Sequence, residues 1–139
     1  MIETIDEFER QLSQLDPHDV AFVLHADALI GNLSPDLHAK VYDVILRFFE
    51  THADAACGAP GTLVHHIEAF YPNYVEAIIA SVDRKTSYNG VLMIHRILNS
   101  KVNDELRERL FARIVKASRD ETATAHVREM AARFVQRHS

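Results

Sequence analysis

A chain of 139 residues, 47% hydrophobic and 25% charged with only four glycines and four prolines, has the composition of one folded domain and excludes a disordered or low-complexity protein. No run of 18 apolar residues is present to span a membrane, the acidic opening MIETIDEFER is unlike a signal peptide, and the lone Cys57 has no disulfide partner, so the expected compartment is the cytoplasm. The net charge of −5 is uneven: residues 1–60 hold 11 Asp/Glu against 3 Lys/Arg (net −8) and residues 61–139 hold 9 against 12 (net +3), which argues against a nucleic-acid binder and for a basic partner of the first half.

The hydrophobic period is helical nearly throughout, and no stretch alternates with period two, so the fold class is all-α. Thr4 and Glu7 form a capping-box pattern ahead of Ile5, Phe8, Leu12 and Leu15, which places a first helix up to about Leu15. Asp16 as N-cap and Pro17 at the first helical position start a second, closed by Gly31-Asn32. Ser34 and Pro35 repeat the device for a third helix through His52. Its apolar set is Leu37, Val41, Val44, Ile45 and Phe48, with Tyr42, Leu46 and Phe49 on an adjoining strip. That leaves Asp36, Lys40, Asp43, Arg47 and Glu50 as the expected solvent face.

ADAACGAPG, residues 53–61, is the expected long loop. A short fourth helix covers about 62–71 and is stopped by Pro72; Asn73 opens a fifth with Val75, Ile78, Ile79 and Val82 inward. Ser87 starts a sixth through Ser100, Asn103 caps a seventh to about Ser118, and Val127, Met130, Ala131 and Phe134 form the stripe of an eighth. Alternate helices begin near 35, 73 and 104 and their partners near 62, 88 and 122. The expectation is one domain over 1–139, about eight helices packed as antiparallel hairpins in a short HEAT-like α-solenoid, with acidic helices over 1–52 and motif-bearing hairpins over 62–139.

Candidate chemistry centres on LVHHIEAF, residues 63–70. His65 and Glu68 are three apart and share a helical face, as do His126 and Glu129. The chain lacks the His-Glu-x-x-His of zinc proteases and the paired Glu-x-x-His helices of di-iron bundles, and one cysteine cannot build a structural zinc site. No Gly-x-Ser-x-Gly elbow, phosphate-binding Gly-Lys loop or Gly-x-Gly-x-x-Gly occurs. Cys57 reads as a small loop or core residue, and Asn89-Gly90 as a helix-entry turn. No catalytic, metal or cofactor residue is therefore assigned, and a metal-dependent helical enzyme ranks behind binding roles.

LVHHIEAF, then YVEAIIASV, then SYNG running into MIHRILNS and an amphipathic helix pair, resembles the all-helical bacterial immunity family known as immunity protein thirty. The resemblance is close over about 61–118 and loose over 119–139; residues 1–60 share only helical character, and Tyr88 stands where the family's motif often has tryptophan. It implies a cytoplasmic protein that accompanies a polymorphic or contact-dependent growth inhibition toxin, binds the cognate toxin domain, often a nuclease, and blocks its active site or substrate access. It implies no catalytic residues. His65, Ile67, Glu68, Arg96, Ile97, Leu98 and Asn99 carry the match and read as scaffold, with Glu68 and Arg96 placed to pair across helices. The expected partner-binding residues are the acids Asp36, Asp43, Glu50 and Asp54 and the aromatic anchors Tyr71, Tyr74 and Tyr88. A generic HEAT-like adaptor is the alternative, sharing the same fold physics without a toxin.

Overall fold

The Thr4 hydroxyl accepts the Glu7 amide at 3.1 Å and opens α1, Ile5–Ser13, in the computed structural model, which describes residues 1–139. The reciprocal half of the capping box is absent, because the Glu7 carboxylate turns instead to Arg10 and Gln11. The second helix starts later than its Asp-Pro signal suggests. Asp16 Oδ1 accepts the His18 amide and Asp19 Oδ1 the Ala21 amide, each at 2.9 Å. These two side-chain turns compete with helical hydrogen bonding, so α2 is Phe22–Gly31 and has no side-chain cap.

The third helix is also shorter than its periodicity predicts. Ser34 gives its amide to the Ile2 carbonyl at 2.8 Å in a parallel bridge between Ile2 and Leu33, and its hydroxyl donates to Asp36 Oδ1 at 2.6 Å. A hydroxyl so engaged caps nothing. Pro35–Leu37 forms a single 3-10 turn, the chain bends through His38–Lys40, and α3 is Tyr42–Thr51. The core positions survive the break: Leu37, Val41, Ile45, Leu46, Phe48 and Phe49 are all buried.

α4 is Thr62–Glu68, ending before its expected limit. Pro72 has no N–H to offer the Glu68 carbonyl, which the Tyr71 amide takes at 3.2 Å in a tighter turn. α5 is Val75–Arg84, α6 Tyr88–Leu98, α7 Asp104–Ser118 and α8 Ala125–His138. The last three open on side-chain caps: Ser87 Oγ accepts Gly90 N at 2.9 Å, Asn103 Oδ1 accepts Leu106 N at 2.8 Å, and Thr124 Oγ1 accepts Val127 N at 3.4 Å. Asn89 lies in the first turn of α6, where its amide donates to the Ala55 and Ala56 carbonyls and pins the loop that follows α3. Gly90 sits where α5 comes close, since a Cβ there would meet Ser87 Oγ at 2.7 Å and Val82 Cγ1 at 2.9 Å.

Eight α-helices and no strands make the fold all-α. α1 packs on α3, α3 on α5 and α5 on α7; α2 packs on α4, and α6 on α8. Hairpin partners α1/α2, α3/α4, α5/α6 and α7/α8 touch across these two rows. One cluster of 35 buried hydrophobic side chains runs from Ile2 to Ala131, so the acidic and motif-bearing parts share a core. No helix is long and apolar enough to cross a membrane.

Candidate functional site

The motif residues meet where α4 faces α6. Arg96 Nε donates to Glu68 Oε2 at 2.6 Å and Arg96 Nη2 to Glu68 Oε1 at 3.0 Å, a two-pronged pair about one-quarter to one-third exposed. His65 lies on the outer side of Glu68, with Nδ1 3.4 Å from the carboxylate, and is itself mostly exposed. His66 points the other way. Its Nε2 donates to the His38 carbonyl at 2.8 Å, which ties α4 to the bend before α3. Burial depresses the His66 pKa, which keeps the ring neutral and suited to that bond. The two histidines thus serve different partners from adjoining faces of one short helix and do not converge on an ion. No group of three His, Cys, Asp or Glu side chains in the structure is placed to hold a metal.

Beside the Glu68–Arg96 pair, Tyr71, Tyr74, Ile97 and Ser100 line a small cleft of about 190 Å³. Asn99 lies on the far side of α6, where its amide donates to His95 Nε2 at 3.2 Å. With Nε2 accepting, neutral His95 carries its proton on Nδ1 and donates it to His138 Nε2 at 2.8 Å. The His95 ring is stacked on Phe134 with centroids 3.8 Å apart and planes within 2°. Burial, with the neighbouring His138, Arg137 and Arg96 charges, pushes the His95 pKa down to about 4. This cluster fastens α6 to α8 as Glu68–Arg96 fastens α4 to α6.

The expected partner-binding residues divide. Asp36, Asp43 and Asp54 are exposed, although Asp36 also holds the Ser34 hydroxyl, which lowers its pKa. Glu50 is not a solvent-face residue. It takes Ser81 Oγ at 2.7 Å and both Arg84 prongs at 3.0 and 2.7 Å, and its side chain is only 11% exposed. Burial works to raise the Glu50 pKa, but the Arg84 guanidinium and the Ser81 hydroxyl outweigh it and leave the carboxyl below its usual range. Reversing its charge would break the scaffold before it touched an interface.

Of the tyrosines, only Tyr71 is well exposed, at 45%. Tyr74 is buried at the start of α5 and belongs to the core, so it cannot anchor a partner. Tyr88 is half-buried and stacks on His126 with centroids 5.7 Å apart. Cys57 is buried in the loop after α3 at φ +54°, and burial pushes its thiol pKa up to about 12, far from a reactive thiolate.

Two further pairs repeat the Glu68–Arg96 geometry in the other row. Arg109 forks onto Glu76 at 2.8 and 2.7 Å, and Arg113 onto Asp83 at 3.3 and 3.1 Å, joining α7 to α5. The four acid-to-arginine pairs are separated by 34, 28, 33 and 30 residues. That spacing matches the hairpin period visible in the sequence, and scanning for acid and arginine at that interval would have found Arg84, Arg109 and Arg113. Once fold and site are defined as a two-row all-helical stack held by such pairs, comparison adds no relative: no protein-family model, curated protein or solved structure matches this chain.

Removing Glu68 leaves Arg96 partly buried without its carboxylate. Glu68→Ala should cost about 1–2 kcal/mol, between the near-zero value of an exposed pair and the 3–5 kcal/mol of a fully buried one. Urea denaturation would measure it, and an unchanged midpoint would contradict a scaffold role. Protonating His95 or His138 puts two donors face to face, so this cluster stabilises the fold above the usual histidine pKa of 6.5 and loses that contribution as pH falls towards about 4. His95→Phe retains a ring against Phe134 but cannot titrate. Thermal midpoints of wild type and His95→Phe should converge as pH falls through that window; parallel curves would contradict the assignment.

Proposed function

We propose that this protein is an immunity protein, which binds a cognate bacterial toxin domain in the cytoplasm and neutralises it by covering its active site or its substrate access. The observation that carries this reading is the charge split, net −8 over residues 1–60 (11 Asp/Glu, 3 Lys/Arg) against net +3 over residues 61–139 (9 and 12). In the motif half, Glu68, Glu76 and Asp83 are each engaged by an arginine, and so is Glu50 from the first half. Most other acids of residues 1–60 have no cation, for Arg10, Lys40 and Arg47 are the only Lys or Arg there. A surface of that sign complements a basic domain. A nuclease is the favoured toxin activity, because a domain built to bind phosphates presents the basic face that such acids fit.

The resemblance of LVHHIEAF, YVEAIIASV and MIHRILNS to immunity protein thirty supports the same reading, and the stacked hairpins fit the HEAT-like frame expected for it. That frame serves a generic adaptor equally well; the charge split is what favours a single basic partner. Neutralisation asks for no catalytic group in this chain, only surface.

The test is co-expression with the small basic C-terminal domain of a large secreted protein encoded beside this gene. Growth should be restored in cells otherwise killed by that domain, and the two purified proteins should form a 1:1 complex. Association should slow by about tenfold as ionic strength rises from about 0.05 to about 0.5 M. Death of the cells with this protein folded and abundant, and no complex, would overturn the reading.

A further inference from the structure

Three apolar side chains at and just before the start of α2 face solvent: Val20 is fully exposed, Leu24 is 69% exposed and Val23 is 41% exposed. They stand out in a chain whose hydrophobic side chains otherwise mostly enter one core. Val23 is not loose, because Gly58, at φ +71°, brings its loop so close that a Cβ would lie 2.4 Å from Val23 Cγ2. The patch is therefore presented on a supported helix start.

Its rim is acidic. Asp27 lies one turn beyond Val23 and Leu24 on the same side of α2 and takes the Thr62 hydroxyl of α4. Asp16 and Asp19 lie in the turns just before Val20, each holding a backbone amide through Oδ1 and leaving Oδ2 unengaged. All three aspartates are exposed, and residues 11–39 contain no lysine or arginine. An apolar centre inside a polar rim is the usual anatomy of a protein contact.

We propose that this patch is the docking surface for the basic partner, with Val20 and Leu24 entering an apolar depression on it and Asp16, Asp19 and Asp27 meeting lysines or arginines at its edge. The charge selects that occupant. A second copy of this chain would set aspartate against aspartate, and an anionic membrane or a nucleic acid would be repelled by the same three carboxylates. The proposal rests on the basic toxin domain of the preceding subsection, and places its contact on α2 and the turn before it, away from the acids of α3.

Two probes separate this surface from that reading. The first is a synthetic amphipathic peptide of lysine and leucine, titrated into isotope-labelled protein. Amide shift changes should centre on residues 16–28 and vanish in Val20→Ser/Leu24→Ser, whose exposed positions leave helicity unchanged; changes centred elsewhere would overturn the proposal. The second probe is the toxin domain itself. Leu24→Ser should raise the dissociation rate at least about tenfold. Asp16→Asn/Asp19→Asn retains the turn-forming oxygens and should slow association about fivefold at low salt, while Asp43→Lys changes neither rate. If wild type and all variants bind the domain alike, the surface is wrong and the immunity reading stands. If the domain does not bind but the peptide maps to α2, the surface stands and the toxin reading falls. Self-association, or binding to phosphatidylglycerol vesicles, that Leu24→Ser abolishes would assign the patch to another occupant and overturn the proposal.

Discussion

The structure depends on polar fastenings between helices two apart in the chain. α3 is tied to α5 by Glu50 with Arg84 and Ser81, and α5 to α7 by Glu76–Arg109 and Asp83–Arg113. In the second row Asp27–Thr62 links α2 to α4, Glu68–Arg96 links α4 to α6, and His95–His138 links α6 to α8. Hydrophobic burial supplies most of the stability but has no direction; an arginine fork on a carboxylate fixes a register. Ridges of Val, Ile and Leu alone would allow a helix to slide by a turn against its neighbour. The Glu50–Arg84 and Glu68–Arg96 forks make that costly, because a slide there would leave a partly buried charge unpaired, whereas the exposed Glu76–Arg109 fork adds little.

The same fastenings shape the surface. Every arginine held in a fork is unavailable to neutralise acids elsewhere, and the arginines of the forks between helices lie on α5, α6 and α7. The N-terminal hairpin hangs on this ladder by the single exposed Asp27–Thr62 contact, and α1 lies outside it. No side-chain hydrogen bond or ion pair joins α1 to α3, and open grooves of about 580 and 430 Å³ run along α1, against α2 on one side and α3 on the other. Glu9 and Arg47 line the second groove without pairing. Phe8 and Leu12 still bury fully, so α1 is held by its apolar stripe and, through the residues before it, by the bridge from Ile2 to Leu33. The ladder thus ends in a lighter, acidic hairpin.

The helical periodicity read from the sequence holds because it records burial, and burial is what the helices do: Ile45, Ile78, Ile94, Ile114 and Met130 all face the core. Caps at Thr4, Ser87 and Asn103 are equally legible, being contacts between residues three apart. What the sequence hides are competitions decided elsewhere. Asp16 and Ser34 carry strong cap signatures, yet Asp16 prefers the nearer His18 amide and Ser34 is held extended by Ile2, more than thirty residues away. Glu50 sits on the polar side of its own helix and reads as solvent-facing until α5 covers it. Tyr74 looks like an interface aromatic but is buried beside the Glu68–Arg96 pair. The exposure of Val20 and Leu24 is likewise invisible in the sequence, because apolar residues beside a helix start normally go inward and only packing shows that these stay open.

Native-state hydrogen exchange of the free protein tests the division into ladder and acidic hairpin most directly. Local stability follows how an element is held, so amides of α5 and α6, bound on both sides, should exchange only through global unfolding. Amides of α1 should exchange through local opening at a markedly lower free energy, with those of α2 between. Protection of α1 equal to that of α6 would contradict the account, since it would mean that the fastenings beyond the N-terminal hairpin do not set the mechanical hierarchy of the fold.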